Sequence, residues 1–178
     1  MTTYIALLRG INVGGNNRLP MKALVDILNA LGAEKVKTYV QSGNVVLQCT
    51  PETAADLAQR LGDEIRARHG FEPHILTLSQ AELEKAMANN PFPEAEANPS
   101  SLHLGFLADT PSDPKLDKLE SLRAESERFR LIDNVFYLHA PEGIGRSKLA
   151  ANSERLLGAA MTDRNWNTVC KLKEMASE

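Results

Sequence analysis

Apolar positions along the 178-residue chain change their period in a regular order. Tyr4 to Leu8 is a short, nearly continuous apolar run before a Gly/Asn-rich stretch, the pattern of a buried strand leaving into a loop. Pro20 then marks a helix start. Met21, Leu24, Val25, Leu28 and Leu31 keep helical spacing up to Gly32, which is placed to end the helix in the left-handed conformation. Val36 to Gln41 and Val45 to Gln48 are β-prone, and the Ser42-Gly43-Asn44 break supplies the positive φ of a tight hairpin. Thr50-Pro51 opens a second helix with Ala54, Leu57, Ala58, Leu61 and Ile65 on one face. Gly70 stops it before the strand-like Phe71 to Leu78. This βαββαβ order is the split β-α-β unit of ferredoxin-like folds.

The pattern then repeats. Ser79 and Glu82 form a capping box for a short helix with Leu83, Ala86 and Met87 inward, and Asn90 to Ser100 holds three prolines without periodicity. Leu102 to Ala108 reads as a strand, a helix follows Pro114 with Leu116, Leu119 and Leu122, and Phe129 to Leu138 is a hairpin turning at Asp133-Asn134. A helix from Ser147 to Leu157 ends at Gly158. Ala159 to Met161 leaves room for only a very short fourth strand, with Thr162 as N-cap of a last helix through Met175. The expected class is α+β: two ferredoxin-like plaits with antiparallel sheets, at 1–78 and 101–178, the second carrying an extra C-terminal helix. Residues 79–100 join them as a short helix and Pro-rich linker.

Composition narrows the classes. The chain is 43% hydrophobic and 24% charged, ordinary for a globular protein, and its net charge of -3 supplies no global attraction to nucleic acid or anionic membrane. No signal-peptide pattern and no apolar run of about 20 residues is present, so a cytoplasmic location is expected. Cys49 and Cys170 are solitary and outside metal-ligand spacing, and no metal or cofactor is expected.

Four polar motifs remain: Arg9-Gly10-Ile11-Asn12-Val13-Gly14-Gly15, Gln41-Ser42-Gly43-Asn44, Gly143-Ile144-Gly145-Arg146-Ser147-Lys148 and Thr162-Asp163-Arg164-Asn165-Trp166-Asn167-Thr168. Arg, Gly and carboxamides suit holding an anion better than breaking bonds. Gly143 to Lys148 runs into a helix N-terminus, where free N–H groups and the dipole favour an anion, although spacing and Ser/Lys order exclude a P-loop. Equally, Ser147 only caps that helix. Trp166 beside Arg164, Asn165 and Asn167 could stack on a base, but with Val169 and Cys170 on one helical face it reads more readily as core. Arg9, directly after an apolar strand, is expected to be part-buried and to need an acceptor. Gly14 and Gly15 allow close approach of a ligand or simply turn the chain.

Topology is expected to place Arg146 to Lys148 beside Thr162 to Trp166 at one sheet end. In the first unit it is expected to put Arg9 to Gly15 and the Gln41 to Asn44 turn at opposite ends. His69, His74, His103 and His139 are scattered, and none lies near a Ser or Cys in a nucleophile setting.

These motifs, in this order and at these separations, with Asn90-Pro91-Phe92 between them, resemble a bacterial family known only as domain of unknown function 1697. The resemblance covers nearly the whole chain. It implies two ferredoxin-like plaits, no established activity and no catalytic residues to carry over; Asp163 departs from a family pattern that often has a second Thr there.

The expected function is binding of a phosphate-bearing ligand, nucleotide or single-stranded nucleic acid. Arg9, Arg146, Lys148 and Arg164 would neutralise the anion, with Asn12, Gly14, Gly15, Ser147, Asn165, Trp166 and Asn167 completing the contacts. Alternatives are an enzyme acting on a phosphorylated small molecule and a protein-interaction module, a homodimer included, pairing through a sheet edge.

Overall fold

The structure, a computed structural model, describes residues 1–178 and divides into two units, Met1–Lys85 with Lys171–Glu178, and Ala86–Cys170. The first runs β1 (Thr2–Arg9), α1 (Met21–Ala30), β2 (Glu34–Tyr39), β3 (Asn44–Cys49), α2 (Pro51–His69) and β4 (His74–Ser79). Its antiparallel sheet has the order β2-β3-β1-β4, as in a ferredoxin-like unit. Strand alternation sends Ala6, Leu8, Val45, Leu47 and Cys49 toward Leu24, Ile27 and Leu28 of α1 and Leu57, Leu61 and Ile65 of α2. Ile5 and Leu7, on the other face, are buried too, which is why β1 reads as a continuous apolar run.

Local chemistry sets the ends of these elements. The Thr53 amide donates to Thr50 Oγ1 at 3.2 Å to cap α2, and Gly70 ends it at φ 78°. β4 starts at His74 rather than Phe71 because Pro73 has no N–H for the ladder.

The second unit runs β5 (Leu102–Leu107), α4 (Leu116–Leu122), β6 (Arg128–Ile132), β7 (Val135–His139), α5 (Lys148–Leu157) and β8 (Met161–Asn165), with sheet order β6-β7-β5-β8. Leu107, Phe136 and Leu138 form a core with Leu119 of α4 and Leu149, Leu156 and Leu157 of α5. The fourth strand is later and longer than the sequence suggests: Thr162 pairs with Phe106 in mid-strand, so it caps nothing. The cap is Asn165, whose Oδ1 accepts from the Thr168 amide at 3.1 Å, and α6 spans Trp166–Ala176. Polar residues on an edge strand hid the period-2 signal there.

The division between units falls near the end of α3 (Gln80–Ala88), inside the joining segment 79–100, and the end of α6 belongs to the first unit, where Lys37 pairs with Glu178 at 2.5 Å. Residues 89–101 are structured: Asn90 Oδ1 accepts from the Phe92 amide at 3.0 Å, and 3-10 turns at Pro93–Ala97 and Pro99–Ser101 bury Ala95 and Ser101.

Candidate functional site

In the first unit the loop after β1 meets the β2–β3 turn. Because β1 and β3 are antiparallel, with Leu7 opposite Asn44, β1 leaves at the end where β3 begins. The expectation of opposite ends is thereby corrected. The Leu8 amide donates to the Gly43 carbonyl at 2.8 Å, and a Cβ on Gly43, at φ 92°, would meet Leu8 at 2.7 Å, so only glycine fits this approach. Asn44 is buried and donates from Nδ2 to the Tyr39 carbonyl and Ser42 Oγ, both at 3.2 Å.

Asn12 ties the two loops together. Its Nδ2 donates to the carbonyls of Leu19 and Gln41, each at 2.9 Å, and its Oδ1 accepts from the Leu19 amide at 2.8 Å. Two donors and one acceptor are thus spent inside the protein. Beyond it the Asn16 amide bonds the Val13 carbonyl at 3.1 Å across Gly14 and Gly15, at φ 61° and 75°, a primed turn that needs both glycines. Arg9 is exposed, not part-buried, because it is the last residue of β1 and lies past the core.

In the second unit the 140–148 loop leaves β7 at the end where β5 begins, since Leu102 is opposite His139, and β8 finishes there with Asn165 opposite His103. Ser147 Oγ caps α5 by accepting from the Ala150 amide at 3.0 Å. The Gly143 and Ser147 amides bond Ala140 and Ile144 carbonyls, whereas the amides of Gly145, Arg146, Lys148 and Leu149 have no protein acceptor. Arg146 and Lys148 are exposed, form no ion pair, and the first turn of α5 carries no acidic residue. Two exposed cations and these amides thus lie within the five residues leading into α5.

Arg164 does not join them. Alternation puts Met161 and Asp163 on the face covered by α4 and α5 and Arg164, opposite Leu104, on the other. Arg164 Nη1 donates to the Asp163 carbonyl at 2.9 Å; burial pulls its pKa down, and the Asp163 charge opposes that shift. Trp166 is 6% exposed and Val169 fully buried, the packed arrangement rather than an open stacking platform, while Asn167 faces solvent. Thr162 Oγ1 is buried without a hydrogen-bond partner.

One pair escaped the sequence reading. Buried His103 places Nδ1 2.9 Å from Asp163 Oδ2, across neighbouring strands at the sheet end where the 140–148 loop leaves. A carboxylate on Nδ1 fixes the imidazole's orientation. Sixty residues of separation gave no local signal; only the β5–β8 register makes them neighbours. No cluster of three His, Cys, Asp or Glu side chains is placed to hold a metal ion.

A conserved bacterial protein, SP0830 from Streptococcus pneumoniae, superposes with a TM-score of 0.77 at 26% identity, covering 100% of this chain and 99% of that one. A search of curated proteins finds no significant match. The profile of the family described as protein of unknown function (DUF1697) matches residues 1–137, and the chain belongs to that family.

Proposed function

We propose that the protein is a cytoplasmic binding protein for a phosphate-bearing ligand, seated at residues 143–148 of the second unit. The observation that carries this reading is that exposed Arg146 and Lys148 and amides without a protein acceptor sit at the N-terminus of α5, with no acidic side chain in its first turn. A helix N-terminus, two unpaired cations and free N–H groups together complement a phosphate dianion. Of the other residues read from the sequence, Ser147 contributes its cap, and Asn12 and Asn165 hold the chain. A second reading, an enzyme acting on a phosphorylated small molecule, is supported by the His103–Asp163 pair at the same sheet end.

Thermal shift against inorganic phosphate, nucleotides and short oligonucleotides tests the proposal. A ligand at 100 times its Kd stabilises the folded state by about 2.7 kcal/mol. Arg146→Glu/Lys148→Glu should leave the unliganded stability within about 0.5 kcal/mol, as exposed substitutions do, and abolish the shift. No shift with any ligand, or an equal shift in the double variant, would overturn the reading.

A further inference from the structure

A cluster outside the loop motifs joins the 90–98 segment to the β6–β7 hairpin. Arg128 Nη2 donates both to Glu94, in the first 3-10 turn, and to His139 Nδ1 at 3.0 Å. The guanidinium carbon lies 4.7 Å from the Phe92 ring centroid, and the Phe92 and His139 rings are 6.4 Å apart. Asn90 holds Phe92 in place through the amide bond already described and donates to Glu96 at 3.0 Å.

Donor chemistry fixes the protonation state. A guanidinium can only donate, so His139 Nδ1 must accept, and the imidazole is neutral with its proton on Nε2. Protonating Nδ1 removes that acceptor and sets an imidazolium against Arg128. We propose that Arg128, Glu94 and His139 form an acid-sensitive clasp, which holds the 90–98 segment on the sheet at neutral pH and loosens it when His139 takes a proton. The charged groups facing His139 are Arg128 from β6 and Glu94 from the 3-10 turn; Leu102, opposite it on β5, is apolar.

The direction of titration agrees. Burial first, and Arg128 second, lower the His139 pKa below its ordinary 6.5, with Glu94 opposing. A depressed histidine contributes stability that is present above its unfolded pKa and lost as pH falls through the folded one. The clasp is therefore closed above pH 6.5 and opens at more acidic pH.

Amide hydrogen exchange, corrected for intrinsic rates, reads the clasp at Ala95 and Asn98, which bond the carbonyls of Phe92 and Ala95 at 2.9 and 3.0 Å. Between about pH 7.5 and about pH 5, protection in the wild type should fall by about threefold or more, the scale of one hydrogen bond to a partly exposed charge. In His139→Gln, whose amide oxygen accepts without titrating, protection should stay level. A level wild type, or an equal fall in the variant, overturns the clasp. Proton NMR titration of His139 in the unmodified protein decides independently of whether the variant folds: titration at or above the ordinary histidine value also overturns it.

Discussion

Replacing Asn12 tests whether the loop after β1 is a brace or a ligand-orienting arm. Asn12→Ala removes the bonds to Leu19 and Gln41, two of them part-buried and one exposed. At about 1 kcal/mol per net hydrogen bond, less for the exposed one, the loss is roughly 2–3 kcal/mol. Asn12 also sits at φ 54°, a left-handed conformation that Asn tolerates and Ala resists by about 1 kcal/mol. The expected total is about 3–4 kcal/mol, a drop of about 6–16 °C in Tm for a chain of this size. Asn12→Gly loses the same bonds without the left-handed penalty, so it should be less destabilised than the Ala variant by about 1 kcal/mol. Urea unfolding followed by far-UV circular dichroism, without ligand, measures both. A loss below about 0.5 kcal/mol for Asn12→Ala, the range of uninvolved surface positions, would refute the brace. Greater damage from Gly than from Ala would refute the backbone part of the reasoning.

Val40 stands 53% exposed at φ 50°, a conformation that β-branched residues resist, so Val40→Asn should raise stability by about 1 kcal/mol; a lowered urea midpoint would show that the turn wants valine for another reason. Tyr137 donates to the Ala86 carbonyl at 2.5 Å, and burial, with the Asp133 charge, pushes its pKa up to about 12. Its folded pKa lies above the unfolded value, so the phenol's contribution is intact below about pH 10 and is lost as pH rises toward 12. Tyr137→Phe should cost about 1 kcal/mol at neutral pH and flatten that alkaline loss in urea midpoints. An unchanged alkaline slope would place the titration elsewhere.

Periodicity and punctuation alone determined the element order and both helix C-caps at Gly70 and Gly158, because those depend on spacing and on the backbone freedom of single residues. The same local rules offered Ser147 as a cap, which the structure shows it to be, and the element order implied the two antiparallel sheets. They misplaced β8: an edge strand reading Met-Thr-Asp-Arg-Asn has no apolar period, and only pairing with β5 makes it a strand. Antiparallel register likewise decided what the motifs do. It set the Asn12 loop against the Gln41 turn, turned Arg164 away from Arg146 and Lys148, and joined His103 to Asp163. Spacing along the chain carries such information only within a few residues, whereas a strand register brings together side chains of any separation and assigns each to a face. The sequence therefore supplied the groups able to hold an anion, and the tertiary structure decided which of them remain unspent.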